Sequence, residues 1–402
     1  MCYLSLQDPE RNGSVFKMEV KHCICCVVGT RPEAIKMAPV IRALKEEKWA
    51  DPFVLATGQH MDMLRQALCY FGIRSDLDLS IMKENQTLDY ITTSVLLKVG
   101  EVLDELKPSL VLVHGDTTTT MAASLAAFYR NVPIGHVEAG LRSGNIRLPF
   151  PEELNRIIAD RTASIFFAPT EGAKKNLIAE GAPEDAVLVT GNTVIDALKW
   201  TMEHTLSPSE ERLLEIPAKA RILLVTAHRR ESLGKPLVRI TNAVSRIVSE
   251  HQDLWAVVPM HKNPEVRKVF QEKLGRSERV LLCDPLGYPD FVWIMKKSTL
   301  VLTDSGGIQE ETTYLGVPTL VMRDVTERPE AVSYGTAFLV GTDENAIAHK
   351  AKMILSEETK PEFGRKKGIE EPFGEGLASR KIIEGLADFL KGSSVKENRF
   401  GN

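Results

Sequence analysis

The sequence predicts an α/β protein made of two doubly wound, Rossmann-like domains that face a central cleft. Short apolar runs alternate with helical patterns from Cys23 almost to the C-terminus, as in a parallel sheet covered by helices on both faces. The series is interrupted once, at residues 207–220, where Pro208 and Pro217 break a polar stretch, and then it restarts. The two halves also open alike. Val28-Gly29-Thr30-Arg31-Pro32-Glu33 and Thr226-Ala227-His228-Arg229-Arg230-Glu231 both run from an apolar strand through a tight turn to arginine and glutamate.

In the first half, strands are predicted at 23–28, 53–57, 110–114, 134–137, 165–168 and 187–190, with helices at 33–47, 88–106 and 117–129 among them. The second half predicts strands at 222–226, 255–258, 280–282, 300–303, 319–321 and 338–340. The division expected is an N-terminal extension at 1–17, with Met18 as an alternative start, and domains at 18–200 and 201–375. A C-terminal helix and tail at 376–402, helical around 377–390, is expected to return to the first domain. In such sheets ligands bind at the carboxyl ends of the strands, so the residues just after each strand carry the functional weight.

Composition narrows the classes. The 402 residues are 43% hydrophobic and 26% charged, with a net charge of −4, which gives no broad attraction for nucleic acid or an anionic membrane. No apolar run approaches the ~18 residues of a membrane span. Asp8, Glu10, Arg11 and Asn12 interrupt any signal-peptide pattern, so a cytoplasmic protein is expected. Cys23, Cys25 and Cys26 crowd the first predicted strand and read as core packing; no metal is expected. A G-x-G-x-x-G nicotinamide fingerprint is absent.

The strand-end motifs suggest a bound nucleotide diphosphate. In Leu300 to Glu311 an apolar run stops at Asp304-Ser305-Gly306-Gly307 and a helix begins. Free N–H groups there favour an anion, and the two glycines let phosphate approach the backbone. Ser305 as an ordinary N-cap is the competing reading. Glu311 lies about one and a half turns on, placed to accept from ribose hydroxyls. Arg31 and Lys36 put two cations at the end of the first strand, suited to a pyrophosphate. Arg328, before a helix-starting Pro329, is a third cation at a strand end.

Asp116 reads equally as an N-cap for helix 117–129 or as a site carboxylate. Glu138 closes a strand just before a glycine bend, with Arg142 as candidate partner. Glu152 and Glu153 start another helix, where the dipole alone could account for them. His228, at the junction of strand and loop, can exchange a proton near neutrality.

Taken together, these stretches resemble the non-hydrolysing UDP-N-acetylglucosamine 2-epimerase family. The resemblance is carried by GTRPEAIKMAP (Gly29 to Pro39), HGDTTT (His114 to Thr119), HVEAGLRSG (His136 to Gly144), PFPEELNR (Pro149 to Arg156), TAHRRES (Thr226 to Ser232), TDSGGIQEE (Thr303 to Glu311) and VMRDVTERPEA (Val321 to Ala331). It implies a glycosyltransferase-B-like fold, interconversion of UDP-GlcNAc and UDP-ManNAc by inversion at C2 without an added cofactor, and a homodimer. It assigns acid/base roles to Asp116, Glu138, Glu152 and His228. Nucleotide contacts fall on Arg31, Lys36, His228, Ser305, Gly306, Gly307, Glu311 and Arg328.

Departures are Ser232, where the family usually has asparagine, and Thr312-Thr313-Tyr314 in place of an Ala-Pro-Ser type of sequence. Gln59, His60 and Gln86 match a second, regulatory UDP-GlcNAc site of some bacterial members, but Asp62 and Asn85 replace a glutamine and an arginine. Weak or absent activation by substrate is expected from those two changes.

Overall fold

The computed structural model describes residues 21–58, 61–83, 86–227, 229, 232–356 and 371–397. The predicted extension at 1–17, Met18, His228, Gln59, His60 and Asn85 lie outside the described residues, as does the side chain of Asp62.

The first half runs β1 (His22–Val28), α1 (Arg31–Glu46), β2 (Ala50–Ala56), α2 (Met61–Tyr70), β3 (Leu77–Asp78), α3 (Leu88–Leu106), β4 (Leu110–His114), α4 (Thr118–Phe128), β5 (Ile134–Val137), α5 (Glu152–Thr162), β6 (Ile165–Ala168), α6 (Glu171–Ala179), β7 (Val187–Val189) and α7 (Thr193–His204). The second runs β8 (Arg221–Thr226), α8 (Lys235–Glu250), β9 (Leu254–Pro259), α9 (Pro264–Leu274), β10 (Val280–Cys283), α10 (Tyr288–Lys297), β11 (Leu300–Thr303), α11 (Gly306–Leu315), β12 (Thr319–Val321), α12 (Pro329–Tyr334), β13 (Ala337–Leu339), α13 (Glu344–Leu355) and α14 (Ala378–Glu397).

Each half makes one parallel sheet, ordered β3-β2-β1-β4-β5-β6-β7 and β10-β9-β8-β11-β12-β13. In both, the order reverses beside the first strand, between β1 and β4 and between β8 and β11. Connections on either side of such a point leave to opposite faces, opening a crevice at the strand ends. Cys25 and Cys26 are fully buried in β1, which bears out their reading as core residues, whereas Cys23, near the start of the strand, is only half-buried and stands outside the core.

Strand β2 starts three residues before the prediction, through Asp51-Pro52. Val54 N–H points away from β1, to the Asp76 carboxylate (2.7 Å). Pro52, two residues earlier, turns its nitrogen to the same side, and β3 pairs only with Leu55 and Ala56, so no ladder bond is lost. The two-residue β3 is too short for any period to show in sequence.

Helix α7 packs on α1 and also on α10 and α11, so it touches both halves. Helix α14 packs back on α1 and α7. Its start is fastened by Asp196 of α7, whose carboxylate accepts from Ala378 N–H (3.1 Å), Ser379 N–H (2.9 Å) and the Ser379 hydroxyl (2.6 Å). The chain therefore passes between the halves twice, and the two passages touch. Asn192 N–H donates to the Phe373 carbonyl at 2.8 Å. Gly191 and Gly374, with φ of 86° and 88°, abut so closely that a Cβ on either would lie 3.0–3.2 Å from the other segment's backbone.

Candidate active site

At the first crevice, the turn after β1 is a capping box. Thr30 caps α1, and Glu33 Oε2 accepts from Thr30 N–H (2.6 Å) and Gly29 N–H (3.1 Å). Its other oxygen accepts from the hydroxyls of Thr117 (2.7 Å) and Thr120 (3.1 Å), which ties the start of α1 to that of α4. Thr117, not Asp116, caps α4, because its hydroxyl takes Thr120 N–H at 3.1 Å. Asp116 is thereby left for the crevice, where it ion-pairs with Arg156 of α5.

Glu138 follows β5 with φ of 65°, a left-handed backbone that is uncommon outside glycine. The residue is 8% exposed, and its carboxylate reaches inward. Lys36 Nζ forms an ion pair with Oε2, and Asn192 Nδ2 donates to the same oxygen at 2.7 Å. Arg328 Nη2 stands 3.8 Å from Oε1. Burial alone would raise this carboxyl; Lys36, His114 and Arg328 outweigh it and hold Glu138 well below the usual carboxylate range. The expected partner Arg142 goes elsewhere. Past the bend at Gly140 its guanidinium binds Glu180 (2.7 and 2.8 Å) and Asp160 (2.7 Å).

Glu152 opens α5 half-buried, and burial together with nearby Asp116 raises its carboxyl. Glu153 turns away to cap the loop of Ser143 and Gly144 (2.9 and 3.3 Å) and to pair with Arg156 (2.9 Å).

At the second crevice Asp304 is fully buried. It accepts from Arg229 N–H and the Ser232 hydroxyl, both at 2.8 Å, joining the loop after β8 to the loop after β11. Ser232, a departure from the family pattern, thus serves as a brace. Ser305 occupies the N-cap position of α11, but its side chain makes no capping bond. The ordinary-cap reading fails there.

Behind this helix start, Glu310 is completely buried and accepts from Arg328 Nε and Asn192 Nδ2, both at 2.9 Å. Lys36 Nζ lies 3.8 Å away. Two cations and two carboxylates from the two sheets therefore meet around one amide.

One cavity of about 220 Å³ lies between the crevices and gathers Lys36, Asp116, Glu138 and Glu152 with Ser305, Gly306, Gly307 and Arg328. Arg31 lines an adjoining hollow of about 790 Å³ together with Tyr288. Glu311 is reached through Tyr288, whose hydroxyl it accepts at 2.8 Å. Burial lifts the Glu311 carboxyl to about 7, even against the Tyr288 bond and the charge of Lys36.

Sequence reasoning missed Glu310, Asn192, Arg156, His114 and Tyr288. Asn192 carries no sequence signal beyond that of an ordinary helix cap, which it also is: its Oδ1 accepts from Val194 N–H at the start of α7 (3.0 Å). Only Nδ2, which an aspartate would lack, bridges Glu138 and Glu310.

Two Rossmann-like sheets, an uncapped helix start and a buried carboxylate cluster define a two-domain enzyme of glycosyltransferase-B-like architecture. A glycosyltransferase from Rickettsia africae shares that fold, with a TM-score of 0.57 at 16% identity, covering 92% of this chain and 99% of that one. The family model for UDP-N-acetylglucosamine 2-epimerase matches residues 42–387. The UDP-N-acetylglucosamine 2-epimerase of Bacillus subtilis strain 168 is 48% identical over 363 residues, 90% of this chain and 94% of the relative. The crystal structure of UDP-GlcNAc 2-epimerase from Neisseria meningitidis, bound to UDP-GlcNAc, matches with a TM-score of 0.86 at 45% identity, covering 91% and 100% of the two chains. The chain belongs to the UDP-N-acetylglucosamine 2-epimerase family and is an isomerase.

Proposed function

We propose that this enzyme interconverts UDP-GlcNAc and UDP-ManNAc by eliminating UDP to a 2-acetamidoglucal and adding it back after proton exchange at C2. The reading rests chiefly on one observation: Glu138 shares a cavity with the open start of α11, and Lys36 and Arg328 stand between them. C2 has no neighbouring carbonyl to acidify its hydrogen. Departure of UDP from C1 supplies that acidity, because positive charge develops next to C2.

In this scheme the Gly306 and Gly307 amides, Ser305, Arg328, Lys36, Arg31 and His228 hold the departing diphosphate, while Glu311 takes the ribose hydroxyls. Diphosphate draws Lys36 and Arg328 from Glu138, and the freed carboxylate gains proton affinity just as the C2 proton becomes acidic. Glu138 takes that proton. Return on the opposite face falls to the Asp116–Glu152 pair, where the raised Glu152 suits an acid. No redox cofactor enters. The product would serve polysaccharide or cell-envelope glycan synthesis, from a cytoplasmic homodimer whose size light scattering can check. Among the described residues no helix is long and apolar enough to cross a membrane.

Incubation with UDP-GlcNAc in D₂O tests the scheme by NMR. Deuterium at C2 of intact UDP-sugars supports it. Free N-acetylmannosamine would indicate hydrolysis of the glucal, and absence of C2 exchange would end the elimination scheme.

A further inference from the structure

His114 ends β4 and opens the HGDTTT motif, yet the scheme above uses only Asp116 from that motif. The ring is 3% exposed and lines the cavity. Its Nε2 is buried with no hydrogen-bond partner among the described residues, 3.8 Å from Glu138 Oε2. Buried polar atoms are nearly always paired, so an orphan facing a reaction site requires a reason. Burial pushes the imidazole down to about 4, which leaves it neutral, with one nitrogen bearing a lone pair. An N–H at Nε2 would be drawn onto the adjacent carboxylate. A lone pair there has nothing to accept while Glu138 is ionised.

We infer that His114 is a positioning residue, complementary to Glu138 in its protonated state; this rests on the reading of Glu138 as the C2 base. At rest Oε2 accepts from Lys36 and Asn192. When Lys36 turns to the diphosphate, Oε2 has a free lone pair. The C2–H bond then breaks, its electrons form the C1=C2 double bond, the C1–O pair leaves with UDP, and the proton joins Oε2. The new O–H points at Nε2, and an approach of about 1 Å completes a hydrogen bond. Arg328 and Glu310 are the other charged groups around this carboxyl. His114 thus steadies the glucal state without carrying the proton away.

The test compares His114→Phe, which cannot accept, with His114→Gln, whose amide oxygen can. The expected result is a fall in kcat and C2 deuteration of about tenfold to a hundredfold in His114→Phe, with KM and UDP affinity within about twofold, and a rate restored in His114→Gln. Wild-type exchange in His114→Phe, equal losses in both variants, or a loss confined to KM would overturn the assignment. Should the variants fold poorly, ¹⁵N NMR of the wild-type imidazole decides: an unprotonated Nε2 that becomes hydrogen-bonded on adding UDP and 2-acetamidoglucal supports it, and a protonated Nε2 in the free enzyme refutes it. Absence of C2 exchange in the wild type would instead remove the Glu138 reading beneath it.

Discussion

The two crevices share one strand order around their reversal points, yet they are furnished in opposite ways. At the first, the carboxylates of Glu33, Asp116, Glu138 and Glu153 are already bonded, several to cations. At the second, the start of α11 is left uncapped, with Ser305, Gly306 and Gly307 on the cavity wall. Topology decides where a site forms, and side-chain charge decides its task. In the proposed scheme the crevice of paired carboxylates moves protons when a ligand disturbs its pairs. In the same scheme the uncapped helix start holds the anion.

The sharpest way to break this division is Glu138→Gln. C2 deuteration is expected to fall more than about a hundredfold, while calorimetry still shows UDP binding. Retained exchange would move the proton chemistry to the Asp116–Glu152 wall. Next comes Glu310→Ala, which removes the 2.9 Å carboxylate partner of the buried Arg328 and leaves it Glu138 and Glu327 at 3.8 Å; urea unfolding should show a loss of about 1.5–3 kcal/mol.

The second crevice is tested by two neighbouring glycines. A Cβ on Gly307 meets nothing within 4 Å, so Gly307→Ala should leave stability within about 1 kcal/mol and yet weaken UDP binding about tenfold. Gly306→Ala puts its Cβ 2.8 Å from Arg328 Nη1, so stability and binding should fall together. Unchanged UDP affinity in Gly307→Ala would remove the diphosphate from that helix start.

The smallest effect separates the crevices by pH. Glu311 sits near 7 when folded against an ordinary 4.5, so the native state keeps a proton that the unfolded chain releases. Stability from this group is present below about 4.5 and is lost as pH rises through 7. Glu138, held low, contributes in the opposite sense, at neutral pH, and loses that contribution in acid. Urea midpoints at pH 5 and pH 8 should therefore converge in Glu311→Gln, although Glu33 and Glu310, also raised, leave a residual slope.

Much of the architecture was legible in the sequence because it is written locally. The runs at 110–114, 134–137, 165–168, 300–303 and 319–321 appear as strands with those bounds, since buried parallel strands are continuous β-branched stretches between polar turns. The glycines and acidic residues at strand ends likewise marked the crevices. The pairings were not legible. Lys36 with Glu138 and Asn192 with Glu310 join residues far apart in the chain, and no spacing rule connects them. Arg142 was matched to Glu138 because it was near in sequence, whereas the left-handed turn at Glu138 parts the two side chains.

The contact between the two chain passages has a mechanical side. Gly191 and Gly374 make a fulcrum with no side chains to jam it, and Asn192, the next residue, reaches from there to Glu138 and Glu310. In any rotation of one half against the other about that point, displacement grows with distance from it. The charge cluster, held by Asn192, sits next to that point and would travel least. Under the proposed scheme, a rotation that opens the protein to exchange a nucleotide thus need not dismantle the pairs around Glu138 and Glu310.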